Sequence, residues 1–396
     1  MKKLFTIVLV LNLTIGLCAQ NFLINHLNYN VTSSTPPLTV EVGSNSYYGA
    51  SSLIIPETVT NNGVTYSVTS IQDQGFAGST NLTSVNIPIT ITIIGSGAFG
   101  NCNSLTSIDI PSSVIAIRDD ALNSCSALTT INVDVNNPNY SSQNGFLFNK
   151  DKTIFLQYPM GKQNTTFTIP ENVTSIGYAA FRSCVNLKSI IIPNGVTSIE
   201  PFVFDGCTGL TNIVLPENVM TIRDCAFRNC RNASSITISG SVTSIGQLVF
   251  ESCLSLNSIY CNNPIPSNIV LQNNTFTNIV DKNKIILYVP VGSKTLYQAA
   301  PQWGTFTNIV EKEMTSVTTV ISKNIKLYPN STKDKFHVSG LTTQASLHIL
   351  DLNGRLLFDK SIVNDENVSI GSLPHGLYLV KISIPEGMIE RKIVKN

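Results

Sequence analysis

Residues 169–184 read IPENVTSIGYAAFRSC, and the chain rewrites this stretch as IPNGVTSIEPFVFDGC from Ile192, LPENVMTIRDCAFRNC from Leu215 and ISGSVTSIGQLVFESC from Ile238. The phenylalanines fall at Phe181, Phe204, Phe227 and Phe250, a constant step of 23 residues. Upstream, Phe76, Phe99 and Leu122 keep the same step. Between them run sextets with apolar first, fourth and sixth places. These are Leu82, Val85, Ile87; Leu105, Ile108, Ile110; Leu128, Ile131, Val133; Leu187, Ile190, Ile192; Leu210, Ile213, Leu215; and Leu256, Ile259, Cys261. One coil departs, placing Ala233 where the others place Leu.

A fixed period of roughly 20–29 residues with L-x-x-L-x-L spacing reads as a leucine-rich repeat solenoid, mainly β and right-handed. One such coil cannot enclose its own apolar side chains, so coils must stack, each covering the last. Alternation around the central Ile marks a short strand, with Ile190 and Ile192 inward and Ser189 and Ile191 outward. V-T-S-I supplies inward residues on a second wall. Proline after the first strand (Pro111, Pro170, Pro193, Pro216) ends the pairing, since it cannot donate to a ladder. The A-F-x-x-C segment then crosses back with Phe filling the interior.

The pattern I-P-x-x-V-T-S-I-G-x-x-A-F-x-x-C-x-x-L-x-x-I, seen best at 169–190, resembles the BspA-like leucine-rich repeat proteins of bacterial surfaces over about residues 21–312. That resemblance implies an adhesin or matrix-binding role, with host matrix proteins or other cells as targets. Residues 323–396 lose the 23-residue phase and take up short strands and turns. Leu327-Tyr328-Pro329-Asn330, the Asn353-Gly354-Arg355 turn and the Gly376-Leu377-Tyr378-Leu379-Val380 strand resemble the type A sorting domain of the type IX secretion system. The family usually has Pro-Asn-Pro, and here Ser331 takes the last place. The resemblance implies a small β-sandwich that partners the type IX secretion machinery, is commonly cleaved, and sends the protein to the outer cell surface or out of the cell.

The remaining segments follow from local rules. Residues 1–19 are expected to be an export signal, with Lys2 and Lys3 before an apolar stretch at 4–17 and cleavage after Ala19. Cys18 also admits a lipoprotein reading, for which Leu17 is a poor neighbour. No other segment is long and apolar enough to span a bilayer. Residues 20–66 are expected to be an N-terminal β cap, with Asn61-Asn62-Gly63 turning a tight hairpin. The solenoid proper is placed at 67–261. From Leu122 to Phe181 is 59 residues, two periods and 13 more, so an insert is expected at about 134–168, with a hairpin around 149–152. Residues 262–312 read as the C-terminal cap, Trp303 plugging the last coil, and 313–322 as a linker.

Composition narrows the chemistry. Charged residues are only 12 % of the chain and the net charge is +1, which gives no steering field for nucleic acid or an anionic membrane. Gly95-Ser96-Gly97-Ala98-Phe99-Gly100 matches G-x-G-x-x-G, but other coils fill the same slot with IGYAAFR and IGQLVFE, which makes Phe99 a core residue rather than part of a phosphate loop. Cys102, Cys125, Cys184, Cys207, Cys230 and Cys253 share one slot, three residues after the Phe position. They lack C-x-x-C pairing or nearby His, so metal and other cofactors are not expected. A ladder of buried thiols is expected, with a local bridge at Cys225 or Cys261 left open. Asp119 and Asp120 would point to opposite faces of a strand and are expected in solvent. No nucleophile–base motif is present, and no enzyme is expected.

What remains is surface. The outward row of the principal sheet reads Asn86, Asp109, Asn132, Ile191, Val214, Thr237, Tyr260, beside Ser84, Ser107, Thr130, Ser189, Asn212, Ser235 and Ser258. Ile191, Val214, Thr237 and Tyr260 form the candidate binding stripe, since apolar patches rimmed by polar groups mark partner sites. Strand preference alone would also place Ile and Val there. A protein ligand is expected. The alternatives are a structural surface or biofilm component and a polysaccharide-capturing accessory, the latter disfavoured by the single aromatic, Tyr260.

Overall fold

The computed structural model describes residues 21–43, 50–279, 281–313, 325–329, 331–341, 343–351, 356–384 and 387–396. The expected export signal lies outside them, as does nearly all of the expected linker. From residue 50 to 312 the chain winds as a β-solenoid. Its principal wall is a series of short strands, one per coil: Ser52–Ile54, Ser84–Asn86, Ser107–Ile110, Thr130–Val133, Thr166–Thr168, Ser189–Ile191, Asn212–Val214, Ser235–Ile238, Ser258–Cys261, Ile286–Pro290 and Asn308–Lys312. The register is parallel and advances by whole coils, as in Ile213 opposite Ile236 and Ile236 opposite Ile259. The V-T-S-I segments make the second wall, where Ile199, Ile222 and Ile245 stand rung on rung.

Parallel pairing begins ahead of residue 67. Ser52–Ile54 pairs with Ser84–Asn86, and Val64–Ile71 pairs in parallel with both Thr39–Gly43 and Ile93–Ile94. Ahead of it, Phe22–Ile24, Leu27–Ser33 and Thr39–Gly43 form an antiparallel meander, and Thr58–Asn61 folds back on Val64–Ile71 around the Asn62-Gly63 turn. These strands cover the apolar end that a first coil would leave open.

The third side has no strands, yet its backbone also bonds coil to coil, as in Phe181 N to the Val203 carbonyl at 3.0 Å and Phe204 N to Ala226 at 2.8 Å. Two residues in most coils adopt the left-handed region, two before and two after the Phe slot, the coil of Tyr158 having neither. The first set includes Asp120, Ala179, Phe202, Cys225, Leu248 and Asn274, with φ between 51° and 65°. Only the aspartate and the asparagine among these accept that conformation readily. Leu248 is half-buried and outside the core cluster, so Leu248→Asn is expected to raise stability by about 0.5–1 kcal/mol, read from the urea midpoint.

Inside, the Phe rings stack along the axis: Phe181 on Phe204 at 5.3 Å, Phe204 on Phe227 at 5.2 Å, Phe227 on Phe250 at 6.4 Å and Phe250 on Phe276 at 5.8 Å. Five thiols of the cysteine slot donate to the Phe-slot carbonyl of the preceding coil, as in Cys125 Sγ to Phe99 O at 3.1 Å and Cys207 Sγ to Phe181 O at 3.0 Å, whereas Cys184 Sγ donates to Arg182 O of its own coil at 3.9 Å. All eight described cysteines are free and buried. The bridge left open at Cys261 does not form; its sulfur lies 3.1 Å from the Tyr297 hydroxyl. Trp303 closes the stack at 1 % exposure, 5.0 Å from Phe276 and 5.4 Å from Tyr297.

The 13 extra residues fall between Leu122 and Tyr158, which is the true Phe-slot residue of its coil. Tyr158 N bonds Ala180 O at 2.8 Å, the rung that Phe181 repeats one coil later. The coil is enlarged by an antiparallel sheet, Tyr140–Gln143 with Phe146–Asn149 and Phe146–Asn149 with Ile154–Gln157. Its Asn-rich loop is closed from within: the Asn137 amide donates to the Pro111 and Val114 carbonyls at 2.8 and 3.0 Å. Gly161 takes the cysteine slot, because a Cβ there would sit 2.6 Å from the Ala127 carbonyl carbon.

Residues 325–396 form two β-sheets around a core of their own, including Phe336, Leu347, Ile349, Val380 and Ile393. One sheet orders Ser331–Thr332, Gly387–Lys395, Gly376–Ile384, Ala345–Leu350 and Leu356–Ile362; the other orders Lys326–Tyr328, Lys335–Ser339 and Glu366–Ser369. Lys395 is buried, its ammonium donating to the Gly371 and Leu373 carbonyls, both at 2.8 Å.

Candidate binding face

Outward positions of the principal wall line up because each strand repeats its neighbour's register. Val214 stands opposite Thr237, Thr237 opposite Tyr260, Tyr260 opposite Tyr288 and Tyr288 opposite Val310. All lie in one five-stranded sheet. Three of the four stripe residues expected from the sequence therefore share a continuous surface. The fourth, Ile191, half-buried like the other three, pairs with Thr168 in the neighbouring two-stranded sheet. Tyr288 and Val310 continue the row, although both fall in the segment expected as a cap. The signal that could have found them is the alternation in Ile286-Leu287-Tyr288-Val289-Pro290, whose inward members Leu287 and Val289 are fully buried.

The Tyr260 and Tyr288 rings stack at 4.6 Å with planes 9° apart. The Lys312 ammonium lies 4.9 and 5.1 Å from their centroids, within cation–π range. Among the described residues, Lys312 is the one charged side chain at the outward positions of these five strands; the rest are Asn, Ser, Thr, Val, Ile, Pro and Tyr. The face is flat, apolar along its centre and hydroxyl-rich at its flank.

A second cluster lies on the strandless side. Arg182, Asp205 and Arg228 occupy one slot in successive coils. Arg228 donates from Nε and Nη2 to the two Asp205 oxygens at 3.0 and 2.9 Å, Arg182 Nε donates at 3.2 Å, and Asn229 adds a fourth bond at 3.2 Å. Both guanidiniums flank the Phe202 ring, at 5.4 and 5.1 Å. The Asp205 hydrogen bonds push the Arg228 pKa up. Asp120 departs from expectation here. It is half-buried rather than in solvent and faces Arg182 at 3.7 Å; burial raises its pKa, while Arg182 pulls the other way. With Asp205 saturated, the cluster ties coils together.

Of the glycines in Gly95-Ser96-Gly97, the first serves packing and the second a left-handed backbone, with φ of 60°. A Cβ on Gly95 would meet Asp73 N at 2.5 Å, and Phe99 is fully buried in the stack. Among the described residues no group of three or more His, Cys, Asp or Glu is placed to hold a metal ion, and no helix is long and apolar enough to cross a membrane.

Comparison with known proteins agrees with this architecture. The model of the BspA type leucine-rich repeat region matches in six copies over residues 40–159 and 152–282. The secretion system C-terminal sorting domain matches residues 326–396, which addresses the chain to the type IX secretion machinery and so to the cell surface or release. No curated protein matches the chain. Among solved structures, the pneumococcal vaccine antigen PcpA is similar at 18 % identity, covering 75 % of this chain and 99 % of that one with a TM-score of 0.48. A leucine-rich repeat protein from Eubacterium ventriosum is similar at 22 % identity, covering 74 % and 95 % with a TM-score of 0.47. Another from Bacteroides ovatus stands at 20 %, covering 74 % and 90 % with a TM-score of 0.40. With the repeat model spanning more than half of its length, the chain belongs to the BspA-type leucine-rich repeat family.

Proposed function

We propose that this exported surface protein binds a protein partner, in adhesion or on a host matrix, through the outward face of its C-terminal coils, and that it catalyses nothing. The observation that carries the reading is the in-register row Val214, Thr237, Tyr260, Tyr288, Val310 on a face whose one charge is Lys312. Aromatic anchors on a flat, weakly charged surface suit a protein interface. The stacked tyrosines favour protein over polysaccharide, because each ring covers the other's face and leaves mainly edges and hydroxyls outward. A sugar ring stacks on an open aromatic face.

The test is to screen the full chain against matrix-protein and glycan arrays, then compare Ile191→Asp with Tyr260→Ala and Tyr288→Ala on each ligand found. Loss of the two tyrosines is expected to weaken binding by roughly 30-fold or more, with Trp303 fluorescence unchanged. Undiminished binding removes the face from the account. Silence on every array favours the structural-component reading instead.

A further inference from the structure

The enlarged coil separates two hydrophobic cores. One runs from Leu27 to Ile131 and includes Leu147; the other runs from Phe146 to Ile309. The sheet Phe146–Asn149 with Ile154–Gln157 stands between them and serves both, as the alternation of a strand allows. Leu147 and Leu156 pack on the first core, whereas Phe146, Phe148 and Phe155 pack on the second.

Both walls break at this coil, whereas elsewhere one breaks at a time: the principal wall between Ser84–Asn86 and Ser107–Ile110 and between Ser189–Ile191 and Asn212–Val214, the second wall between Ser175–Ile176 and Ser198–Ile199. Thr130–Val133 pairs back to Ser107–Ile110, and the principal wall resumes only with Thr166–Thr168 and Ser189–Ile191. On the second wall, Ala116–Ile117 pairs back to Ile93–Ile94, and the ladder restarts at Ile154–Gln157 with Ser175–Ile176. The interlocks used elsewhere are missing as well. Leu122 stands in the Phe slot, and Gly161 in the cysteine slot has no thiol to donate. The bonds that cross include Ile131 N to Gly145 O at 3.0 Å, Gly161 N to Leu128 O at 2.7 Å, Val133 N to Ser142 Oγ at 3.0 Å, Ile117 N to the Tyr140 hydroxyl at 2.9 Å, the two Asn137 bonds and the Arg182–Asp120 pair at 3.7 Å, but none of them belongs to a parallel ladder.

Stability in a solenoid is a sum of coil and nearest-neighbour terms, so a break in the neighbour terms is a break in cooperativity. We propose that the enlarged coil is a bulkhead that divides the solenoid into two independently unfolding units. When the N-terminal coils open, the C-terminal coils and their outward face stay folded.

Hydrogen exchange read by mass spectrometry on the full chain, with and without Phe99→Ala, tests this. Phe99 stacks on Phe76 at 5.7 Å in the N-terminal core. Exchange of amides in 84–133 is expected to rise roughly a hundredfold or more, with those in 198–261 unchanged and the urea midpoint of Trp303 fluorescence where it was. Complete loss of protection in 84–133 with 198–261 still protected supports the division equally. Acceleration of 198–261 by a like factor, or a fall in the Trp303 midpoint, overturns it.

Discussion

Raising the pH above 9 is expected to unfold the C-terminal coils by about pH 11. Burial pushes the thiols of the cysteine slot above their ordinary value of 9.0, Cys207 and Cys253 to about 12 and Cys184 and Cys230 well above it. A group whose folded pKa is raised lends stability that is complete below its unfolded value. That stability drains away as the pH climbs toward the folded value. Past pH 9, each such thiol removes about 1.4 kcal/mol per pH unit, and four act together in this core. The loss over one to two units matches the whole margin of an ordinary domain, about 5–15 kcal/mol. Far-UV circular dichroism against pH, under reductant, reads the transition. A Cys207→Ala, Cys230→Ala variant should show a shallower fall of stability with pH. Intact β signal at pH 11.5 would show that the thiols are not sealed between coils.

Phe227→Ala is expected to cost about 3–5 kcal/mol. Its ring is 1 % exposed and lies between Phe204 at 5.2 Å and Phe250 at 6.4 Å. Truncation opens a cavity whose floor and roof are rings on separate coils, each held by two β walls, so collapse is resisted from both sides. Trp303 belongs to the same core and is the chain's one tryptophan. Its fluorescence should report a urea midpoint lowered by about 1.5 M or more, at a slope of about 2 kcal/mol/M. A drop under about 0.5 M would mean that the ring does not bridge coils.

The repeat was legible because stacking leaves a period of 23 on every inward position, and Phe204 and Ile213 declare their surroundings by their place in that period alone. Tyr158 was not, although it stands 23 residues before Phe181: the phase breaks between it and Leu122, and the place carries a tyrosine with Gly161 where the cysteine would stand. The left-handed positions are marked only in places, as by Gly97 and Gly206. Phe202, Cys225 and Leu248 occupy them with no glycine to mark the place, and what holds them is the backbone bonding of the strandless side. Asp120 read as solvated because its partner Arg182 lies 62 residues away, across the enlarged coil.

The face was half legible. Val214, Thr237 and Tyr260 sit at the 23-residue step, whereas Tyr288 follows Tyr260 by 28 and Val310 follows Tyr288 by 22. Loops of different length feed strands in the same register, so phase in sequence is lost while phase in space is kept. Ile191 shows the converse: it holds the period and falls in the adjoining sheet.

The stacked coils are tested most directly by distances between nitroxide labels on the exposed row just before each principal strand. One label is fixed at Thr307→Cys and the other moved through Thr211→Cys, Lys188→Cys, Thr106→Cys and Thr83→Cys. These positions lie four, five, eight and nine coils away, and the eight described native thiols are buried from the reagent. Electron–electron dipolar spectroscopy should return separations that grow with every coil, by about 4.8 Å each. Separations that ignore coil number would contradict the stacked solenoid, and with it the face.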